Sequence, residues 1–325
     1  MRIIDLHCDT ITKIDDNQQN LYDNDCHLSL KRMSEAGYMM QCFAIFVYLK
    51  ETESPYNTCL KYIDYFKKEM DKNKSLIKQV YCYDDLLNNI EKNIMSAMLT
   101  IEEGATIEND LAKLKHFYDL GVRMMTLTWN FKNKIGYPNN MSDPENWHEV
   151  TDKGLTEFGK LVVNEMNRLG MIVDVSHGSD RLFYDVIEIS DKPIVASHSN
   201  SRKVHYCPRN LSDDMLVKLK ENGGVVGINY CPSFISEDTE IDQIPMIVEH
   251  IKHIVKIAGI ETVALGSDFD GIKTPVGLSD CSKMHLLTQA LKENGFTEDD
   301  IDKIYYQNFL RVFAGNCKCN KVKNI

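Results

Sequence analysis

The stretch Ile3-Ile4-Asp5-Leu6-His7-Cys8-Asp9 opens the chain with a short apolar run that ends in two metal-type side chains. The same pattern returns four times. Leu99-Thr100-Ile101-Glu102 and Val263-Ala264-Leu265-Gly266-Ser267-Asp268 end in carboxylates; Ile172-Val173-Asp174-Val175-Ser176-His177 and Ile194-Val195-Ala196-Ser197-His198 end in imidazoles. Runs that are apolar on both faces read as parallel strands buried on both sides. If parallel strands carry all six groups, these converge at the carboxyl end of one sheet. Three imidazoles and three carboxylates there suit one or two divalent cations.

Working outward, the sequence predicts eight strands: Arg2–Leu6, Met39–Val47, Ala97–Ile101, Arg123–Thr128, Met171–Val175, Pro193–Ser197, Gly224–Asn229 and Thr262–Gly266. Helical patterns separate them at Ser29–Ala36, Tyr56–Asp71, Asp110–Leu120, Gly154–Leu169, Ser179–Ile189, Ser212–Glu221, Ile244–Ala258 and Ser282–Glu293, with a terminal helix over Asp299–Phe313. Gly154–Leu169 carries Leu155, Phe158, Leu161, Val162, Met166 and Leu169 on its apolar side and stops at Gly170, a residue suited to a left-handed cap. Strand and helix in eightfold alternation predict an α/β fold, a (β/α)8 TIM-type barrel with the metal site at the carboxyl end of its strands. A doubly wound open sheet is the alternative, but the ligand set closes more easily around a barrel mouth. Thr10–Leu28 and Asn130–Asp152 are long polar connections after strands, where lids and specificity elements sit. No linker, repeat or low-complexity run interrupts the pattern, so residues 1–325 are expected to form a single domain.

Composition narrows the function classes. Of 325 residues, 43% are apolar, enough for a sizeable core, and the net charge of −11 argues against a nucleic-acid surface. No apolar run approaches the ~18 residues of a membrane span. Met1-Arg2 stands directly before a strand with no signal peptide, and Lys321-Val322-Lys323-Asn324-Ile325 is not a lipid-anchor signal. The expectation is a cytoplasmic protein whose ten cysteines are reduced and mostly packed as small hydrophobes. The pair in Cys317-Lys318-Cys319 is read as no metal site.

His7 and Asp9 share one face of an extended segment, so both reach one cation. A carboxylate bridges two cations with its two oxygens, and Glu102, between the two ligand groups in sequence, is the natural bridge. One metal would take His7, Asp9 and Glu102; the other would take Glu102, His177 and His198. The imidazole-rich second set favours Zn²⁺ over Mg²⁺. A hydroxide held between two such metals is a strong nucleophile near neutral pH. Asp268 is then the proton shuttle, taking a proton from the attacking water and passing it to the leaving amine. Alternation points Asp270 and Glu103 elsewhere. Asp5 and Asp174 either hold ligands from behind or are plain buried, hydrogen-bonded carboxylates.

At this point His7-Cys8-Asp9, Ile101-Glu102-Glu103-Gly104, Thr126-Leu127-Thr128, Asp174-Val175-Ser176-His177, Ser197-His198-Ser199, Arg209-Asn210-Leu211 and Gly266-Ser267-Asp268-Phe269-Asp270-Gly271 resemble the membrane (renal) dipeptidase family, zinc peptidases of the amidohydrolase-like barrels. The resemblance runs over nearly the whole chain. It implies a binuclear zinc metallopeptidase that hydrolyses dipeptides, including those with a C-terminal D-residue. It maps the family's metal ligands onto His7, Asp9, Glu102, His177 and His198, its catalytic aspartate onto Asp268, and its carboxylate-binding arginine onto Arg209. A guanidinium fork suits a free C-terminal carboxylate. A homodimer is what the family suggests. One departure stands out: better-known members carry histidine where this chain has Trp129. Indole N–H donates one hydrogen bond and carries no charge. Either Trp129 or Asn130 takes over part of that substrate-binding role, or the substrate differs; Trp129 is equally readable as a core aromatic at the barrel rim.

The rival reading is another metal hydrolase on the same barrel: a deaminase, an N-acyl amino acid deacylase or a phosphoesterase. Such relatives often open with two histidines, where this chain has Asp5-x-His7-x-Asp9. No lysine ends the fourth predicted strand, which argues against a carbamylated-lysine bridge. A non-catalytic barrel would be expected to have lost Asp268 or a ligand.

Overall fold

The computed structural model describes residues 2–139 and 152–318. Its strands are β1 (Ile3–Cys8), β2 (Tyr38–Phe46), β3 (Ile77–Gln79), β4 (Met95–Glu102), β5 (Val122–Thr126), β6 (Ile172–Asp174), β7 (Val195–Ser199), β8 (Val225–Ile228) and β9 (Val263–Leu265). All neighbours are parallel. β2 pairs with β4 from Met40 opposite Ser96 to Phe46 opposite Glu102, and β1 meets β9 at Asp5 opposite Leu265. The ring therefore closes through eight strands, as the alternation predicts. β3 lies outside it, paired with the start of β4 at Met95, Ser96 and Ala97. Its three residues have only Ile77 buried, so no periodicity announces it.

Two apolar layers hold the ring. Ile4, Leu6, Met40, Cys42, Met98, Met124, Ile172, Val195, Val225 and Ala264 form one cluster inside the barrel, which Phe309 and Phe313 of the terminal helix join at the end where the strands begin. Ile3, Phe43, Leu99, Val173, Ala196, Val226 and Leu265 face the surrounding helices instead. The alternation is the period of two expected of strands. Gly227 and Gly266 occupy inward positions where a Cβ would stand 2.0 and 1.9 Å from the Ser197 carbonyl oxygen, so backbone fills that layer.

The helix Glu157–Leu169 shows how a coat helix is specified. Thr156 Oγ1 accepts from Gly159 N at 3.0 Å, and Gly170 ends the helix at φ +82°. Val162, Val163 and Met166 are buried, worth about 1.5–3 kcal/mol each relative to exposure. Leu161, expected on the apolar side, is 55% exposed: it falls in line with Glu157, Asn164 and Arg168, three and four residues apart on the outer face.

Four other expectations change. Thr10–Asp16 is a helix within the predicted polar connection, anchored by buried Ile11 and Ile14. Tyr83–Glu91 is a further helix the pattern did not give. The terminal helix is interrupted by a wide π turn at Lys303–Gln307, after which Asn308 Nδ2 donates to the Ile260 and Val263 carbonyls. Of the cysteines, eight described ones are free thiols and Cys82 is disulfide-bonded, which corrects the all-reduced expectation at that position. Cys319 and residues 140–151 of the second long connection lie outside the described residues.

Candidate metal centre and active site

The ring's register brings Phe46, Glu102, Thr126 and Asp174 level with one another at the carboxyl ends of β2, β4, β5 and β6. Strict alternation would not bring the histidines in. Ile4 and Leu6 face the interior, so an unbroken β1 would aim Cys8 inward and His7 out. The β1–β2 register shifts between Asp5 and Cys8, and Cys8 packs in the outer layer. β7 shifts likewise between Ala196 and Ser199, around His198. Irregularities of this kind re-aim side chains near sites. His177 and Asp268 are turned by left-handed backbone, φ +65° and +63°, at a cost of order 1–3 kcal/mol each.

The result is a buried cluster. His7 Nε2 stands 3.3 Å from Glu102 Oε2 and 3.5 Å from Asp9 Oδ2, and 4.0 Å from Asp268 Oδ1. Glu102 Oε1 faces the other side, 3.0 Å from His177 Nε2 and 3.5 Å from His198 Nε2; the two Nε2 atoms are 2.9 Å apart. Ligand atoms about 2.0–2.2 Å from one tetrahedral zinc stand about 3.3–3.6 Å apart. The spacings are close to that, and His7 Nε2 and Asp9 Oδ1 are buried without a hydrogen-bond partner. Donor set, spacing and orphaned atoms fit a cation on each side of Glu102.

Protein charges alone polarise this cluster. Burial pulls the His7 imidazolium down, but the Glu102 and Asp9 carboxylates outweigh it and leave His7 raised. Glu102 is lowered: burial opposes the shift, and the His7 charge and the histidine hydrogen bonds overcome it. Burial, helped by the Arg209 charge, lowers His177 to about 4, and burial with the His7 charge puts His198 well below the usual range. Neutral imidazoles are the form that binds metal. Burial, the Glu102 charge among its helpers, raises Asp9 to about 6. Burial, with Asp9 and Glu102 nearby, raises Asp268 to about 7.

Polar groups hold the cluster from behind. Asp174 Oδ1 accepts from the Ser176 and Ser197 amides at 3.0 and 2.9 Å, and Oδ2 from the Thr126 and Ser197 hydroxyls, both at 2.6 Å. Ser197 Oγ lies 2.7 Å from His198 Nδ1, and with its own proton given to Asp174 it accepts there, leaving His198 Nε2 free as a ligand. Asn130 Oδ1 lies 2.8 Å from His177 Nδ1 and does the same for that ring. Asn229 Nδ2 donates to Asp268 Oδ2 at 2.9 Å.

Arg209 is 2% exposed, with Nη2 donating to the His198 carbonyl at 2.9 Å and Nη1 to Ser199 Oγ at 3.4 Å. Its Nε has no partner, its guanidinium stands 5.4 Å from the Phe234 ring centre, and no carboxylate among the described residues is within ion-pair distance. A buried cation without a counter-charge is expensive unless a ligand brings one.

A cavity of about 200 Å³ opens over the cluster, lined by Asp9, Phe46, Glu102, Trp129, Asn130, His177, Phe234, Asp268, Gly271 and Ile272. A Cβ at Gly271 would meet Asp9 Oδ2 at 2.2 Å and Asp268 Oδ1 at 2.6 Å, so glycine lets the chain pass beside both carboxylates. Of the residues expected at the site, Asp9, Glu102, Trp129, Asn130, His177 and Asp268 line the cavity, His7 and His198 stand against Glu102 beneath it, and Arg209 is buried beside Phe234 without lining it. Glu103 and Asp270 do not join it: Glu103 accepts from Ala105 N, Trp129 N and Asn133 Nδ2, and Asp270 from Thr10 Oγ1 and His27 N. Sequence reasoning missed Ser197, Asn229, Phe46, Phe234 and Ile272. Ser197 and Asn229 stand at strand ends beside the residues that were read, a signal that was there; the three apolar wall residues carried none.

Comparison with known proteins follows the same line. The membrane dipeptidase family (peptidase family M19) matches residues 1–323. An uncharacterised dipeptidase of Schizosaccharomyces pombe is 34% identical over 304 residues, 88% of this chain and 71% of that protein. A second from the same yeast is 40% identical over 224 residues, 68% of this chain and 53% of its own length. Among solved structures, dipeptidase AC, a family M19 metallopeptidase, superimposes with a TM-score of 0.90 at 27% identity over 98% of this chain and 99% of its own. A Rhodobacter sphaeroides metallopeptidase, liganded with a phosphinate mimic of the dipeptide L-Ala-D-Ala, gives 0.88 at 25% identity over 97% and 99%.

Proposed function

The chain belongs to the membrane dipeptidase family, peptidase family M19, and on that premise we propose that it is a binuclear zinc dipeptidase, a single barrel domain cleaving small dipeptides with L- or D-residues at the carboxyl end. One observation supports it most: Glu102 turns one oxygen to His7 and the other to His177 and His198. His7, Asp9 and Glu102 would hold one cation and Glu102, His177 and His198 the other. When bound, such a pair polarises the scissile carbonyl and supplies a nucleophilic water near neutral pH.

The chain's own residues do the rest. Asp268, fixed through Oδ2 by Asn229, offers Oδ1 toward the cluster and moves the proton from water to the departing amine. Arg209 supplies the missing half of an ion pair to the C-terminal carboxylate. Trp129 and Asn130 border the bound peptide, Asn130 also steadying His177. The small cavity suits a dipeptide better than a longer chain. The likeness to a structure bearing an L-Ala-D-Ala mimic supports the D-residue part of the reading. No helix of the described residues is long and apolar enough to cross a membrane. A homodimer and a cytoplasmic location complete the reading; sedimentation and cell fractionation decide them.

The test is hydrolysis of Gly–D-Ala, L-Ala–D-Ala and L-Ala–L-Ala by purified, metal-analysed protein with and without chelator. Chelator-sensitive release of the C-terminal amino acid is expected; no release from protein carrying two metals would end the dipeptidase reading. Asp268→Asn is expected to lower kcat by about 10²–10⁴ with metal content unchanged; activity within a few-fold of wild type would remove Asp268 from the mechanism. His198→Ala is expected to bring bound metal toward one equivalent, and unchanged stoichiometry would refute the second site.

A further inference from the structure

The cavity has two unlike sides. One is lined by Phe234 and Asp268, beyond the ends of β8 and β9, with Arg209 buried next to Phe234 against the His198 carbonyl. The other rises from the ends of β2 and β5 and is aromatic. Phe46 and Trp129 line it, ring centres 5.0 Å apart, and Phe46 sits opposite Glu102 in the β2–β4 ladder. Behind them Tyr48 and Phe131 pack edge-on to Trp129 at 5.6 and 5.4 Å, and Tyr48 and Phe131 lie 5.9 Å apart. Trp129 is also 6.1 Å from the His177 ring.

This wall is pinned by a group the hydrolysis does not use. Glu103 is fully buried and strained at φ +99°, and it accepts from Trp129 N at 3.1 Å, Asn133 Nδ2 at 2.6 Å and Ala105 N at 2.8 Å. Asn133 in turn donates to the Leu127 carbonyl and accepts from Ile135 N and Gly136 N. A buried carboxylate that ties the Trp129 amide to the Ala105 amide and Asn133 fixes where the indole stands. Four interlocked rings then leave it little rotational freedom, so a ligand that packs on it orders almost nothing further.

We infer that Phe46 and Trp129 form the subsite for the N-terminal side chain of the substrate and select large apolar or aromatic residues there. This rests on the dipeptidase reading. With the terminal carboxylate on Arg209, the C-terminal residue lies on the Phe234 side and the peptide bond lies over Glu102 and Asp268. The N-terminal residue then faces the opposite wall. Among the described residues nothing on that wall carries charge toward the cavity: its lining there is Phe46 and Trp129, with the amide of Asn130 at its edge. Charged N-terminal side chains would be desolvated there without a partner.

The experiment compares kcat/KM for L-Phe–L-Ala, L-Leu–L-Ala, L-Ala–L-Ala and L-Asp–L-Ala, with L-Ala–L-Phe and L-Ala–L-Leu as the reversed set, in wild type, Trp129→Ala and Phe46→Ala, each metal-analysed. In wild type, L-Phe or L-Leu in first position is expected to exceed L-Ala by about 10–200-fold. Either variant should collapse that ratio toward one while the ratios in the reversed set stay as they were. Phe46→Ala carries the test alone if Trp129→Ala does not fold. A flat first-position profile in an enzyme that cleaves dipeptides would overturn the subsite and leave the dipeptidase reading standing. So would variants that alter only the second-position ratios. No dipeptide cleaved at all would overturn both.

Discussion

Asp5 and Asp174 are built alike and used differently. Each follows an apolar run and sits just ahead of a histidine that enters the site. Asp5 Oδ1 accepts from the Ser267 and His7 amides at 2.9 and 3.2 Å, and Oδ2 from the Ser267 hydroxyl at 2.5 Å. Asp174 Oδ1 accepts from the Ser197 and Ser176 amides, and Oδ2 from the Ser197 hydroxyl, with Thr126 as an extra donor. In both, a carboxylate stitches the end of its own strand to the serine of a neighbour. They part at the serine. Ser197 Oγ goes on to the His198 ring, whereas Ser267 Oγ accepts from Phe269 N at 3.2 Å and also faces the His7 carbonyl. One clamp sets an imidazole tautomer; the other sets the turn that carries Asp268. The same local chemistry thus backs a proposed metal ligand, His198, on one side of the barrel and the proposed proton shuttle, Asp268, on the other.

Removing the carboxylates should have the largest effect. Asp174→Asn and Asp5→Asn each leave buried donors facing an amide, and each is expected to cost upwards of about 3 kcal/mol in stability. The two should separate in metal content. Asp174→Asn is expected to lose the His177–His198 metal first, and Asp5→Asn to keep it while kcat falls. Metal analysis beside thermal unfolding reads both; equal metal loss in the two variants would break the distinction.

The serines sharpen it. Ser197→Ala removes the acceptor for His198 Nδ1, and metal affinity on that side is expected to fall about 10–100-fold. Ser267→Ala is expected to cost about 1–3 kcal/mol in stability and to lower kcat through the turn at Asp268, with metal affinity where it was. Competition with a chromophoric chelator measures the first and turnover at saturating substrate the second. If Ser267→Ala weakens metal as much as Ser197→Ala, Asp5 serves the ligands after all.

These differences mark where reading the sequence stops. The eight ring strands were legible because burial on both faces leaves long apolar runs, and the six candidate site residues stood out because they close those runs. What turns them inward was not. Cys8, not His7, is the residue that Ile4 and Leu6 put in phase with the interior, and only the shift in β1 reverses that. His177 and Asp268 rely on left-handed backbone, uncommon outside glycine even though Asp and His tolerate it better than most, and nothing in the apolar runs before them announces it. Whether Asp5 and Asp174 held ligands or merely filled buried positions stayed open in the sequence, because the answer depends on what each serine touches next. β3 and the helix Thr10–Asp16 escaped for a plainer reason: too few buried apolar residues to show a period, Ile77 in the one and Ile11 and Ile14 in the other.

Asn130 supplies the smallest and most discriminating effect. It gives His177 what Ser197 gives His198, an oxygen for Nδ1, but from a connection instead of a strand end and with no carboxylate behind it among the described contacts. Asn130 is also only partly buried and lines the cavity, so water can replace its oxygen where none can reach Ser197. Asn130→Ala is therefore expected to weaken metal binding at the low end of such effects, roughly tenfold, and Asn130→Asp, which keeps an acceptor in place, to restore it. Chelator competition on the two variants beside Ser197→Ala puts the three on one scale. A loss in Asn130→Ala as deep as in Ser197→Ala would mean that burial of the acceptor does not matter and that the tautomer alone does. No loss at all, with dipeptide KM raised instead, would move Asn130 from the imidazole to the substrate.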